Sequence, residues 1–281
     1  MPEARRPAGR PARERTVLEE IVDSVRAALE EERRRVPLPE VRRRAADAPP
    51  PRGFKEALAA GGAGDARIIA EAKRASPSAG VLAASYDPAA LALRYERGGA
   101  AALSILTEPR YFQGRLSHLC EVRKSVSIPL LRKDFTVSPY QVYQARAAGA
   151  DAVLLIVQCL ADEELRDLRA LARELGMAAL VEAHTAEEVE RAAACGAEII
   201  GVNNRDLANF HTDPETSLRL AAGIPEGCVK VAESGIRDRA DIERLQRGGF
   251  RCFLVGEALM RAPDPAAKIR ELRGEPPAGT A

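Results

Sequence analysis

Seven side chains suited to acid–base or ion-pair chemistry stand at or just past the ends of short apolar runs. Glu71 and Lys73 end "IIAEAK", and Lys133 lies in "IPLLRKDF". Glu182 lies in "LVEAH", Asn203 and Arg205 end "IIGVNNR", and Glu233 lies in "VAESGI". One at a time, each reads as a salt bridge at the end of a strand. Gathered together they read otherwise, because buried charge on that scale is costly and rarely improves stability. Two lysines, an arginine, an asparagine and three glutamates in one pocket suit proton transfer on an anionic substrate. A lysine beside another cation in a partly dry pocket is expected to have a lowered pKa and to serve as an acid. A neighbouring glutamate can relay the proton. His118, His184 and His211 are scattered and show no nucleophile-triad order; His184 reads as a residue behind the site or a structural one.

Alternation along a strand decides which of these groups share a face. Glu71 goes with Lys73, and Leu131 with Lys133 and Phe135, leaving Arg132 and Asp134 on the opposite side. Leu180 goes with Glu182 and His184, Asn203 with Arg205, and Val231 with Glu233. The last two runs end in Ser234, Gly235 and Gly256, where glycine lets backbone N–H groups approach a phosphate.

The elements that must position these groups repeat. Eight Val/Ile/Leu/Ala-rich runs follow residue 65, separated by charged segments with helical periodicity such as "ADEELRDLRALARELG". Continuous apolar runs suit strands covered on both faces. Eight strand–helix units indicate a (β/α)8 barrel (an α/β fold), whose site lies at the carboxyl ends of the strands. The run-ending residues Glu71, Lys73, Glu108, Lys133, Gln158, Glu182, Asn203, Arg205, Glu233, Ser234 and Gly256 are expected on a shared rim. An open doubly wound sheet would need a glycine-rich phosphate loop near its first strand, and "EAKRASPSAG" is not one.

Ahead of the barrel, Val17, Leu18, Ile21, Val22, Val25 and Leu29 share one helical face, which must bury against something. The expected organisation is a disordered basic tail over 1–15, a helical extension packing on the barrel over 16–64, the barrel over 65–272 and a second disordered tail over 273–281. With 42 basic and 41 acidic residues the net charge is +1, which gives no support for nucleic-acid binding. No run is long enough for a membrane span. The five cysteines are dispersed, without zinc-ligand or disulfide-framework spacing, which fits a cytoplasmic setting and no metal.

These stretches, with "IIAEAKRASPS", "YDPAALALRYERGGAAALSILTEPRYFQG", "ADAVLLI", "IGVNNRDL" and "FLVGEALM" in family order over about residues 17–265, resemble the indole-3-glycerol-phosphate synthase family. The resemblance implies ring closure, decarboxylation and dehydration of 1-(2-carboxyphenylamino)-1-deoxyribulose 5-phosphate, without a cofactor. It implies Lys133 as the acid at the ketone oxygen, and Lys73 as carboxylate binder and dehydration acid. Glu182 would be the proton-transfer partner, with Glu71, Asn203 and Glu233 orienting the lysines and the substrate hydroxyls. Arg205, Phe135, Ser76, Leu131 and Leu207 would bind substrate, and Ser234, Gly235 and Gly256 the phosphate. The only partner implied is this small molecule, with room for loose association with other tryptophan-pathway enzymes.

Ala79, Ala183 and Glu257 depart from the residues common in relatives. Ala183 is expected to face away from the interior, and Glu257 to point away from the phosphate. Alternatives at this point are another phosphosugar barrel of the same pathways, a Schiff-base aldolase using Lys133, and a catalytically inactive ligand sensor.

Overall fold

The computed structural model describes residues 15–62, 64–77, 80–83, 85–206 and 211–275. Eight parallel strands close into a barrel. They are β1 (Arg67–Ala72), β2 (Ala102–Leu106), β3 (Leu130–Lys133), β4 (Ala152–Ile156), β5 (Ala178–Ala183), β6 (Ile199–Asn203), β7 (Val229–Glu233) and β8 (Cys252–Val255). Each of the eight apolar runs is a barrel strand, and β8 closes the ring by pairing with β1. A two-stranded hairpin, Ala75–Ser76 with Gly80–Val81, follows β1.

Alternation sorts the core into two layers. Ile69, Leu131, Leu154, Leu180, Ile199, Val231 and Leu254 fill the barrel interior. Ile68, Ala70, Leu103, Val153, Val181, Ile200 and Val255 face the surrounding helices. Ala183 belongs to this outer layer, as its position in the strand requires.

The extension wraps the barrel from one end to the other. Helix α1 (Val17–Arg35) starts at a capping box of Thr16 and Glu19, which satisfies otherwise orphan N–H groups. It buries Leu18, Ile21, Val22, Val25 and Leu29 in one cluster with Phe135 and Tyr140, against Tyr111 and Phe112, beside the carboxyl ends of the strands. Helix α2 (Leu38–Asp47) lies on the helix Pro139–Ala147, where Tyr140 donates its hydroxyl to the Val36 carbonyl at 2.9 Å. Helix α3 (Phe54–Ala59) closes the floor with Phe54 and Leu58.

Arg15 lies within the expected basic tail and pairs with Asp23 of α1; residues 1–14 lie outside the described residues. At the other end the last helix runs Pro265–Arg273 and stops on Gly274 in left-handed conformation. Its final residue thus passes the expected boundary by one, and residues 276–281 lie outside the description.

Candidate active site

One cavity of about 1660 Å³ opens at the carboxyl ends of the strands. All seven charged or amide side chains singled out in the sequence line it: Glu71, Lys73, Lys133, Glu182, Asn203, Arg205 and Glu233. Phe135, Ser76, Ser234, Gly235 and Gly256 line it as well.

The centre is Lys133 at the end of β3. Its Nζ donates to Glu182 Oε2 at 2.7 Å and to Glu233 Oε2 at 2.8 Å. Register makes this possible, since Asn203 lies beside Glu233 and Glu182 beside Gly201 across the strands β5, β6 and β7. Asn203 donates its amide to Glu182 Oε1 at 3.1 Å and accepts the Arg205 N–H at 3.0 Å. A second pair, Lys73 to Glu71 at 2.7 Å, stands at the end of β1.

The electrostatics correct one expectation. Burial pushes the Lys133 ammonium toward neutrality, but the carboxylates of Glu182, Glu233 and Glu71 outweigh it and raise its pKa. The atoms in contact with Lys133 are two carboxylates rather than another cation, so the resting lysine is fully charged. The two glutamates are driven apart. Burial pushes Glu182 up, yet Lys133, His184 and Asn203 hold it down at about 2. Glu233 has the same ammonium, but burial and the neighbouring Glu182 charge leave it raised to about 7. Two carboxylates competing for one cation titrate as a pair.

What lies behind Lys133 fixes its direction. Arg132 and Asp134, on the opposite face as expected, pair at 2.9 Å inside the outer layer. Thr107 donates its hydroxyl to Asp134 Oδ2 at 2.5 Å, and the Phe135 N–H donates to Oδ1 at 2.9 Å. Both flanking residues are therefore locked outward, and Lys133 and Phe135 face the cavity.

Just past β7, Ser234 and Gly235 both have positive φ, 65° and 76°. A non-glycine residue in that region is strained and needs support; Asn204 supplies it by donating to the Ser234 carbonyl at 3.0 Å. A Cβ at Gly256 would sit 2.5 Å from Glu71 Oε1 and 3.0 Å from Lys73 Nζ, so any larger residue there must move the Glu71–Lys73 pair.

Several expected rim residues are elsewhere. Glu108 accepts the N–H groups of Arg110, Tyr111 and Phe112 at 2.9, 2.7 and 3.0 Å, so it ties down its own loop. Gln158 sits exposed in a 3-10 turn. Leu131 is not on the cavity wall: it shares a face with Lys133 but lies two residues deeper, in the filled interior. Leu207 and Ala79 lie outside the described residues. Glu257 is on the wall, turned to Arg261 at 2.9 Å and Arg205 at 3.8 Å. His184 lies behind Glu182.

Sequence reasoning missed the apolar wall of Leu106, Phe112, Leu154 and Ile156. Alternation along β4 would have found Leu154 and Ile156. It also missed Gly201, where a Cβ would collide with Glu233 Oε1; a lone glycine inside the strand run "IIGVN" was the available signal.

A closed parallel barrel with paired lysines and glutamates at its mouth carries groups capable of acid–base chemistry where barrel enzymes hold their sites. Among solved structures, 3-hexulose-6-phosphate synthase aligns with a TM-score of 0.59 at 19% identity, over 74% of this chain and 98% of that one, a likeness of fold. The family model for indole-3-glycerol phosphate synthase matches residues 18–272. The indole-3-glycerol phosphate synthase of Micrococcus luteus is 50% identical over 260 residues, covering 92% of this chain and 97% of that protein. That of Rhodopirellula baltica is 46% identical over 249 residues, covering 89% and 95%. The chain belongs to the indole-3-glycerol phosphate synthase family, which are carboxy-lyases.

Proposed function

We infer that the mouth cluster closes, decarboxylates and dehydrates 1-(2-carboxyphenylamino)-1-deoxyribulose 5-phosphate to indole-3-glycerol phosphate. The observation that carries the assignment of roles is one ammonium, Lys133, held between two buried carboxylates at 2.7 and 2.8 Å.

Ring closure joins the aromatic carbon that bears the carboxylate to the ketone carbon, and the ketone oxygen must gain a proton. Lys133 is the donor: it is fully protonated at rest, and a developing alkoxide is far more basic than either glutamate. Loss of CO₂ then restores the aromatic ring. Dehydration expels the new hydroxyl as water, with Lys73 as acid, while Glu182 takes a proton from the methylene beside nitrogen. Glu182 suits that task because it stays ionised, and Asn203 holds its other oxygen. Glu71 holds Lys73, and Glu233 shares Lys133.

Arg205 supports the anionic substrate, and Phe135, tilted against Phe112 with ring centroids 6.2 Å apart, offers a surface to its anthranilate ring. The phosphate belongs at Ser76, Ser234, Gly235 and Gly256, which border the same cavity. Among the described residues no helix is long and apolar enough to cross a membrane. The free cysteines suit a cytoplasmic setting.

The test is indole absorbance and fluorescence after mixing the protein with the carboxyphenylamino substrate. The chain has no Trp, so its own emission interferes little. Indole from the wild type is expected; a folded wild type that forms none refutes the reading.

A further inference from the structure

His184 is a buried titratable group that the reaction above does not use. Its Nε2 lies 3.6 Å from Glu182 Oε1 and its Nδ1 3.4 Å from Glu188 Oε2. The side chain is 11% exposed, and among the described residues neither ring nitrogen reaches hydrogen-bond geometry with a partner. Glu188, on the helix Ala186–Ala194, also accepts the His184 backbone N–H at 2.7 Å, so the same carboxylate holds the residue's main chain and faces its ring. The imidazole is thus placed between a cavity carboxylate and a carboxylate of the outer helix layer.

The charged groups around it are Glu182 on the strand it follows, Glu188 from the helix Ala186–Ala194 and Glu233 from β7. Lys133 lies beyond Glu182, and the Cys159 thiol follows β4. Burial pushes the imidazolium down, and the three carboxylates reverse this and raise its pKa.

The order of the reaction makes this placement matter. Lys133 is the cation that Glu182 Oε2 contacts, and ring closure takes the proton from Lys133. Glu182, 1% exposed, is then a carboxylate in a dry site beside Glu233, with its counter-charge gone. A buried carboxylate in that position takes up a proton. It must nevertheless remain a base for the dehydration that follows.

We propose that His184, held by Glu188, is a positioning residue that keeps Glu182 ionised between ring closure and dehydration. Its cation replaces that of Lys133 at the other oxygen of Glu182. The long 3.6 Å separation suits this, since catalytic contacts often tighten only once substrate is bound. No bond to substrate is involved, and no proton is transferred by His184. The inference rests on the ring-closure reading of the site.

The experiment is a single-turnover reaction of wild type, His184→Gln and Glu188→Gln with the carboxyphenylamino substrate, following CO₂ and indole separately. In His184→Gln, CO₂ is expected to appear ahead of indole, because dehydration alone is slowed. In the steady state kcat falls by roughly tenfold, less than the 10²–10⁴ of a direct proton donor, and KM is little changed. The alkaline decline of kcat that reports imidazole deprotonation in the wild type disappears in this variant. Glu188→Gln should shift that decline to lower pH and leave kcat near the wild-type value at acid pH. CO₂ and indole slowed equally in His184→Gln, or an unchanged pH profile, would overturn the proposal. A wild type that makes no indole fails the reading of the reaction instead, so the two failures are distinct.

Discussion

The two ends of the barrel both bury charge, and they treat it in opposite ways. At the floor, Asp151 has a fully buried side chain and every lone-pair direction in use. It accepts the N–H groups of Arg52 and Leu130 at 2.6 and 2.7 Å, and both its oxygens contact Arg123 at 2.9 Å. At the mouth, two buried carboxylates divide one ammonium, and among the described residues Glu233 Oε1 has no hydrogen-bond partner. The floor is satisfied and binds the linker at residues 50–52 to the barrel. The mouth is left short of one proton or one cation, which is the condition for moving protons. Buried charge is thus structural where its partners are complete, and reactive where they are one too few.

The comparison is broken most severely by Lys133→Ala. Indole formation should fall by roughly 10²–10⁴-fold with the fold intact by circular dichroism. A comparable loss of folded protein would mean that the mouth is structural too.

At the floor the expectation reverses. Asp151→Asn strands Arg123 and should cost about 3–5 kcal/mol in urea unfolding, the usual result of breaking a buried pair. The activity of the remaining folded molecules should stay near that of the wild type.

Gly201→Ala tests the mouth without touching a charge. The added methyl displaces the Glu233 carboxylate from Lys133, and misplacement on the 1 Å scale costs about 10²-fold in rate. The measurement is kcat beside the melting temperature, which should move little by comparison.

The smallest effect sharpens the contrast through pH. Glu233 is raised from 4.5 to about 7, so its contribution to stability is best below pH 4.5 and worsens as pH rises toward 7. Glu182 is lowered to about 2; its contribution is present above pH 4.5 and is lost as pH falls toward 2. Glu233→Gln should therefore gain about 1–2 kcal/mol at pH 8 while losing activity. No gain at pH 8, in parallel urea titrations at pH 4 and pH 8, would show that Glu233 is not under strain.

Much of this was legible because it depends on periodicity. A period of two placed Glu71 with Lys73 and sent Arg132 and Asp134 outward, and eight apolar runs gave eight strands. What sequence could not supply was distance. Lys133 was expected near another cation, but only the register of β5, β6 and β7 reveals that two glutamates reach it first. Glu108 and Gln158 carry the right chemistry at the right spacing. Yet Glu108 turns back to its own loop's amides and Gln158 turns out to solvent, because the backbone has already left the strand geometry that alternation assumes. Leu131 illustrates depth: a shared face does not imply a shared layer.

The extension that spans mouth and floor has a consequence for how the chain is made. Its contacts join residues far apart in sequence: Tyr140 to Val36 across 104 positions, Gln144 to Glu32 across 112, and Cys252 to Leu58 across 194. Such loops are entropically expensive to close before the intervening chain has folded. On the ribosome, α1 emerges ahead of the barrel, with its apolar stripe of Leu18, Ile21, Val22, Val25 and Leu29 ready-made, and its partners Tyr140 and Gln144 follow 104 and 112 positions after the residues they bond. The helix is therefore made well before the surface it docks on, and its stripe is what a nascent chain must keep from wrong partners until that surface has formed.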